Sequence, residues 1–248
     1  NLPQTLDRLG EALREIVRLE EKVRALTAQN KMSAYMMGAM PLVIIGIWDS
    51  DRGHVATRWT ALAELGLLGL LVPERAGGLA LDEVSLVLPL EETGRAALPE
   101  AVVETAAIAV PLLAALEDQA LADPWLARIA TGDTVVTVGC ELNPWVSRAD
   151  VAALLLLARN DEIHAVPRTE VKIERLPHLD GAQRLFRVDW TPTATTRIAT
   201  GEHARSLLAA AADRGALATA AQLLGIGQRL IEEAVRYAKQ REQFGRAI

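Results

Sequence analysis

The block of strand-like sequence in the middle of the chain constrains the fold most, because the segments on both sides of it have helical patterns. The predicted strands cover residues 134–139, 151–158, 162–166, 171–175 and 184–190. Asn160-Asp161 separates two of these apolar runs and predicts a tight turn between paired strands. A small antiparallel β-domain between helical segments predicts a mainly α fold of the α+β class.

The helical segments have apolar residues at three- and four-residue steps. Trp59, Leu62, Leu65 and Leu68 begin one such stripe, and Asp82 is the predicted cap of the next helix. Further helices are predicted over residues 99–116, from Asp123-Pro124, and from Gly201 onward. The last helix has an apolar stripe at Leu217, Ala221, Leu224, Ile231, Val235 and Ala238. Glycine inside a helix costs about 1 kcal/mol relative to alanine, so Gly225 and Gly227 predict a close approach of a neighbouring helix.

The first 48 residues differ in composition from the rest. All four methionines lie between Met32 and Met40, and residues 34–48 carry no charge. At about 1.5 Å per residue these fifteen residues reach only about 22 Å as a helix, short of a hydrocarbon core about 30 Å thick. A truncated membrane span, an interfacial segment and a core helix remain open. We therefore expect four parts: residues 1–48, a helical domain (49–132), a β-domain (133–200) and the first part of a helical bundle (201–248).

Composition excludes several classes of function. The formal net charge is -6 and there is no basic block, which argues against nucleic-acid binding. The only cysteine, Cys140, excludes an internal disulfide and a cysteine zinc cluster, and it is interpreted as a buried small apolar residue. The four histidines lack the spacing of metal ligands, so no metal site is predicted. A single thiol fits a reducing compartment, and we expect a cytoplasmic protein.

Residues 1–47 resemble inner-membrane platform proteins of tight-adherence pilus and type II secretion machines. The resemblance rests on residues 23–28 (VRALTA), Ser33, Ala34 and Pro41. It implies an assembly role, with membrane contact expected only through residues 34–48.

Residues from about 50 to 248 resemble the acyl-CoA dehydrogenase family. The strongest motif is YAKQREQFGRAI at residues 237–248, and LGLLGLLVPERAGG at residues 65–78 adds to it. The resemblance implies an oligomeric flavoprotein that uses FAD to oxidise the Cα–Cβ bond of an acyl-CoA thioester. It also implies that Arg241, Gln243 and Phe244 contact the FAD of a neighbouring subunit.

The resemblance leaves the catalytic residues unassigned. The family's usual base lies in a part of the bundle beyond Ile248, so we expect the chain to be incomplete, and Glu232 and Glu233 are interpreted as solvent-facing charges. The resemblance implies a Thr-Glu-Pro-Gly-type loop, followed by Gly-Ser, that contacts flavin and substrate. The corresponding residues 139–145 (GCELNPW) depart from this pattern, and only Glu141 retains part of it. Two alternatives stay open: a non-catalytic partner subunit of an acyl-CoA dehydrogenase hetero-oligomer, or a membrane-associated assembly protein.

Overall fold

The structure, a computed structural model, describes residues 55–141, 143–177, 179, 182–243 and 246–247. Its helices are α1 (Val55–Glu64), α2 (Glu83–Arg95), a π-helix (Val103–Ala109), α3 (Val110–Ala114), α4 (Gln119–Ala130) and α5 (Gly201–Gln240), with 3₁₀ turns at Glu74–Ala76 and Arg168–Glu170. Its strands are β1 (Val136–Cys140), β2 (Trp145–Ser147), β3 (Leu154–Arg159), β4 (Glu162–Pro167), β5 (Lys172–Arg175), β6 (Leu185–Asp189), β7 (Arg197–Thr200), β8 (Glu242–Gln243) and β9 (Arg246–Ala247). The predicted α+β class, with a small β-domain between helices, is confirmed. Residues 1–48 lie outside the described part.

The β-domain consists of two sheets. One has the strand order β1-β3-β4-β7 and the other β2-β6-β5, while β8 and β9 form a separate hairpin. All pairs are antiparallel except β1 with β3, which is parallel. The parallel pair arises because β2, between them in the chain, crosses to the second sheet, so β3 re-enters the first sheet in the direction of β1. Strand β3 is buried almost throughout, as its continuous apolar run predicts.

Local capping explains where two helices begin. Asp82 caps α2 as predicted, because its Oδ1 accepts hydrogen bonds from the Ser85 backbone N–H (3.0 Å) and from the Ser85 hydroxyl (2.8 Å). The predicted start of α4 at Asp123-Pro124 is wrong. Asp118 caps α4 by accepting from the Leu121 N–H at 3.1 Å, and Pro124 therefore lies inside the helix.

Helix α5 crosses α2 so closely that glycine is required on both helices. A Cβ on Gly225 would overlap the carbonyl oxygen of Glu91, and a Cβ on Gly94 would overlap that of Gln222. Arg95 donates through Nη2 to both carboxylate oxygens of Glu232, at 3.0 and 2.9 Å, which fixes the register of the crossing. The predicted close approach is thus confirmed at Gly225.

The second glycine of the same helix behaves differently. A Cβ on Gly227 would meet no atom within 4 Å among the described residues, so these residues make no close approach there. In the predicted apolar stripe of α5, Ala221 is buried, whereas Leu224 and Ile231 are 64% and 67% exposed. The stripe is helical as predicted, but the described residues leave most of it uncovered.

A buried polar network joins the helical segment to the β-domain. The Nε of Arg58 donates to Glu100 Oε1 at 2.6 Å, and the side chains are 7% and 0% exposed. Arg148 donates to the carbonyl oxygens of Pro99 (2.9 Å) and Ala182 (3.2 Å), which holds its backbone at a φ of 54°. The bond from Arg148 to Pro99 therefore links the β-domain to the helical segment that precedes it.

Glu104 lies in the π-helix at this junction. Protein atoms surround its carboxyl group closely although part of the residue is accessible, and this desolvation raises the pKa of Glu104 above its ordinary value of 4.5. A hydrogen bond with Ser147 and the charge of Arg148 act in the opposite direction but are weaker. The folded protein therefore holds the Glu104 proton more tightly than the unfolded chain does.

We expect Gly225→Ala to destabilise the protein by about 1–3 kcal/mol, because the added methyl group overlaps the α2 backbone. Gly227→Ala is the matched control and should raise the free energy of unfolding by up to about 1 kcal/mol through helix propensity. Urea denaturation at high dilution measures intramolecular contacts alone. Equal changes in the free energy of unfolding for the two substitutions would contradict the close contact between α5 and α2 at Gly225.

We expect Glu104→Gln to stabilise the protein at pH 7, where ionising the buried Glu104 opposes folding. Because the pKa of Glu104 is raised in the folded state, the contribution of Glu104 to stability falls as pH rises above 4.5, and the two proteins should converge at lower pH. The free energy of unfolding, measured against pH, tests this. Exposed Glu117→Gln is the control, and parallel profiles for Glu104→Gln and wild type would refute the prediction.

Candidate functional site

A cleft of about 410 Å³ lies between the π-helix, the first sheet and α5. This volume falls within the range of about 300–1,000 Å³ that is typical of small-molecule sites. Its walls are apolar: Ile108, Leu112, Val138, Leu156, Ile163, Leu208, Ala211 and Ala212. Its polar groups are Glu141, Asn143, Arg159, Asn160 and Asp161. Such a cleft suits an apolar ligand segment that carries polar groups at one end.

The π-helix shapes one wall of the cleft. Its wider turns run from Val103 to Ala109, and Ile108 contributes to the lining. Thr105 fastens this helix to the sheet, since its hydroxyl donates to the carbonyl oxygen of Val136 at 2.7 Å. The helix was predicted only as part of an Ala-rich helix over residues 99–116. Single turns of π-helix are frequent at functional sites. The position of this π-helix therefore supports the cleft as a candidate binding site.

The loop after β1 closes on itself. The backbone N–H of Asn143 donates to the Cys140 carbonyl at 3.1 Å, and a longer 3.5 Å bond returns from the Cys140 N–H to Asn143. Asn143 Oδ1 accepts from the Trp145 N–H at 3.4 Å. The loop amides of Cys140 and Asn143 are therefore already bonded within the protein. Cys140 is half-buried on the cleft wall, not fully buried as predicted, because β1 ends there beside the cavity.

The arginines around the cleft are paired with carboxylates. Arg205 bonds Asp161 at 3.0 Å and Glu202 at 2.6 Å, and Arg159 lies 3.8 Å from Glu141. Next to them, the Arg197 guanidinium holds the pKa of Glu162 below its ordinary range. Of the described arginines that line the cleft or contact its acidic residues, none lacks an acidic partner. The cleft is thus poorly suited to binding a diphosphate by itself.

An aromatic cluster lies next to the cleft. Trp190 packs against the buried ring of His164 with 5.0 Å between ring centroids, and the Arg159 guanidinium lies 5.2 Å from the Trp190 ring centre. His164 also bonds Thr196 through Nδ1 at 3.0 Å and Glu162 through Nε2 at 3.2 Å. A cavity of about 70 Å³ beside Trp190 has room for little more than water. Sequence patterns gave no sign of this cluster.

The structure does not place the predicted cofactor residues at the cleft of their own chain. Arg241 follows α5 and is exposed, and its Nη1 donates to the Tyr237 hydroxyl at 2.6 Å. Gln243 lies in β8, opposite Arg246 of β9, and Phe244 lies outside the described residues. Arg241 is separated from Ala212 on the cleft wall by 29 residues of continuous helix, about 44 Å. One ligand cannot contact both within a single chain.

Glu232 and Glu233 have structural partners. The hydrogen bond from Arg95 lowers the pKa of Glu232, and Glu233 pairs with Arg229 at 2.7 Å and with Arg236. Both carboxylates lie on α5, outside the cleft lining. Neither is placed to act as a base on a ligand in the cleft. Within the described residues, no three His, Cys, Asp or Glu side chains come together as a metal site would require.

Two family profiles match the chain. Residues 41–133 match the acyl-CoA dehydrogenase N-terminal domain, and residues 205–248 match the acyl-CoA dehydrogenase C-terminal domain. Between them they cover more than half of the sequence and flank the β-domain on both sides.

Curated relatives carry the same family name. The chain is 28% identical over 232 residues to the acyl-CoA dehydrogenase IpdE2 of Mycobacterium tuberculosis, covering 93% of this chain and 65% of the relative. It is 24% identical to (2S)-methylsuccinyl-CoA dehydrogenase of Cereibacter sphaeroides, covering 76% and 44%. The chain thus spans slightly less than two thirds of IpdE2.

Solved structures share the fold. The ChsE4–ChsE5 complex from Mycobacterium tuberculosis superposes with a TM-score of 0.71 at 18% identity, covering 87% of this chain and 69% of that one. Butyryl-CoA dehydrogenase from Megasphaera elsdenii gives 0.70 at 15% identity, covering 86% and 71%.

These matches bear on the first 48 residues. The alignment with IpdE2 leaves out only 7% of the chain, about 17 residues, so it extends well into this segment. The N-terminal domain profile also begins at residue 41, inside the uncharged run. The resemblance to secretion platform proteins is not supported, and neither is membrane contact. None of the helices in the described part is long and apolar enough to cross a membrane.

The helix–sheet–helix order, the profiles on both sides of the β-domain and the shared fold agree with one another. The chain belongs to the acyl-CoA dehydrogenase family.

Proposed function

We propose that this chain is a subunit of an acyl-CoA dehydrogenase-like flavoprotein whose ligands are FAD and an acyl-CoA thioester. The observation that carries the proposal is the geometry of α5, which lines the cleft near its beginning and ends at Arg241. The two parts lie about 44 Å apart on a rigid helix. Each part would serve a different cofactor molecule, and a complete site would need two subunits.

The cleft supports the acyl part of the proposal. Its walls are aliphatic on three sides, and burial of each CH₂ group contributes about 0.8 kcal/mol. Asn143 and Asn160 at its polar part could orient a thioester or a flat ring by hydrogen bonding. A charged diphosphate fits less well there, because the arginines nearby are already paired with carboxylates.

The end of α5 supports the cofactor part. Arg241 is exposed and has no carboxylate partner among the described residues, so its guanidinium can pair with a phosphate oxygen. Gln243 follows two residues later, in β8. When bound, FAD would supply the acceptor for hydride from the acyl group. The chain's own residues would orient the acyl group in the cleft and hold the phosphates at Arg241.

The names of relatives support the substrate class. IpdE2 is called an acyl-CoA dehydrogenase, and the Cereibacter sphaeroides relative acts on a methylsuccinyl-CoA thioester by name. The ChsE4–ChsE5 structure is a complex of two differently named chains. A homo- or hetero-oligomer of similar subunits is therefore the assembly that we propose.

A second candidate function is a non-catalytic partner subunit of the same fold. The closed Cys140–Asn143 loop favours it, because the backbone N–H of each of these residues donates to the carbonyl oxygen of the other. Neither N–H group is free to bind flavin or substrate. In that role the chain would contribute Arg241 to a complete partner's cofactor. Its own cleft would not turn over an acyl-CoA thioester.

We expect Arg241→Ala to weaken FAD binding about 10-fold or more, because a charge-assisted hydrogen bond is worth about 1.5–3 kcal/mol. Arg236→Ala removes the same charge from the same helix and is the control, since Arg236 pairs with Glu233. Quenching of FAD fluorescence on titration with each protein measures the affinity. Identical affinities for the two variants would contradict the assignment of Arg241.

We expect Ala212→Phe to weaken binding of a long-chain acyl-CoA at least about 10-fold, because the added ring occupies the cleft. Ala209→Phe adds the same ring to an exposed position of α5 outside the cleft lining, and should bind like wild type. Isothermal titration with an acyl-CoA, and circular dichroism as a check of folding, separate the two. Unchanged binding by Ala212→Phe would place the acyl group elsewhere.

A further inference from the structure

Gly215 lies in the first half of α5, where this helix packs against the π-helix. A Cβ at this position would come within 3.1 Å of the Cδ1 atom of Ile108. This distance is shorter than the carbon–carbon contacts of about 3.5–4.0 Å that are usual in proteins. Ile108 therefore fills the space that a side chain on Gly215 would need, and glycine at this position lets the two helices close on each other.

The Ile108–Gly215 contact lies at the apolar end of the cleft. On α5 the cleft is lined by Leu208, Ala211 and Ala212, of which Ala212 is the last in the chain. Gly215 follows on the same face of the helix, because residues three and four apart share a face. Ile108 lines the cleft from the π-helix. The side chain of Ile108 thus closes the cleft where its lining on α5 ends.

The polar end of the cleft lies near the beginning of α5. Asp161, which lines the cleft, accepts a hydrogen bond from Arg205 Nη1 at 3.0 Å, and its carbonyl oxygen accepts from the Gly201 N–H at 2.9 Å. Ten residues of continuous helix separate Arg205 from Gly215, a distance of about 15 Å. An apolar chain that enters at the polar end therefore has about this length available before it meets Ile108.

A second apolar space, called the inner cavity below, lies behind the contact. It has a volume of about 10 Å³ and lies between α2, the π-helix and α5. Its apolar lining includes Leu86, Leu90, Ala107 and Ala218. Ala107 directly precedes Ile108, and Ala218 lies about one turn after Gly215. The order along α5 is therefore cleft, contact and inner cavity.

The inner cavity is unfilled space within the described part of the chain. It has room for about one water molecule, and cavities with apolar walls stay dry. Arg214 and Glu83 also line it, and they pair with each other at 2.8 Å. A ligand in the cleft could extend into the inner cavity only if Ile108 gave way.

We propose that Ile108 sets the length limit of the acyl group, because its side chain closes the cleft against Gly215 and separates it from the inner cavity. The inference rests on the proposed function, since it takes the acyl group to bind in the cleft. The substrate class that follows is acyl groups whose apolar part is no longer than about 15 Å. Shortening Ile108 would join the cleft to the inner cavity and lengthen the space along α5.

Titration calorimetry with saturated straight-chain acyl-CoA thioesters of increasing length tests this limit. Each CH₂ group that the cleft buries should strengthen binding about 4-fold. The affinity of the wild-type protein should stop rising at the length at which the chain reaches Ile108. The affinity of Ile108→Ala should continue to rise for longer chains. Ile108→Val, which removes only the Cδ1 atom and disturbs the packing less, should give a smaller extension in the same direction.

Two further variants separate closure of the cleft from general packing. Leu208→Ala is the matched control, because it shortens an apolar side chain of the same cleft away from the closed end. It should weaken binding without changing the length at which affinity stops rising. The double variant Ile108→Ala/Gly215→Val returns a branched side chain to the contact from the other helix. It should restore the wild-type limit, a rescue that a purely structural role of Ile108 would not give.

Circular dichroism checks that each variant folds. An affinity that stops rising at the same chain length for wild type, Ile108→Ala and Ile108→Val would overturn the inference and leave the proposed function standing. A wild-type protein that binds no acyl-CoA of any length would contradict the proposed function, and the inference with it.

Discussion

The crossing of α2 and α5 at Gly94 and Gly225 is the contact on which the rest of the arrangement depends. Two backbones touch there without intervening side chains, and the hydrogen bonds from Arg95 Nη2 to both carboxylate oxygens of Glu232 join the two helices beside the contact. Because α5 is continuous from Gly201 to Gln240, fixing it at this point fixes both of its ends. One end completes the cleft wall, and the other presents Arg241.

The charge environment differs between the two ends of α5, the cleft end and the Arg241 end. Near the cleft, Asp161 and Glu141 already engage Arg205 and Arg159, so the cleft offers apolar area and amides more than positive charge. At the far end Arg241 is exposed and bonded only to a tyrosine hydroxyl among the described residues. An apolar acyl group and a doubly charged diphosphate have opposite requirements, and under the proposed function each would bind at a different end of α5. A complete site would then draw on two subunits.

Features that depend on local chemistry could be predicted from the sequence. The cap at Asp82 needs only a carboxylate three residues before an N–H, and the strand that returns after Asn160-Asp161 needs only a turn. Features that depend on distant segments could not. The parallel β1–β3 pair requires β2 to leave the sheet, and the π-helix has the same Ala-rich composition as an ordinary helix. Gly225 and Gly227 give the same signal in the sequence, and only the position of α2 distinguishes them.

The cleft itself was beyond prediction, because its lining comes from residues as far apart as Ile108 and Ala212. Arg241 was identified by its motif, whereas its distance from the cleft follows only from the unbroken helix. The most direct test of the central claim is the visible absorption spectrum of the purified protein after addition of FAD, removal of free flavin and addition of an acyl-CoA thioester. We predict a retained flavin band that the acyl-CoA perturbs. A folded protein that retains no flavin, or a flavin band that acyl-CoA leaves unchanged, would contradict the account.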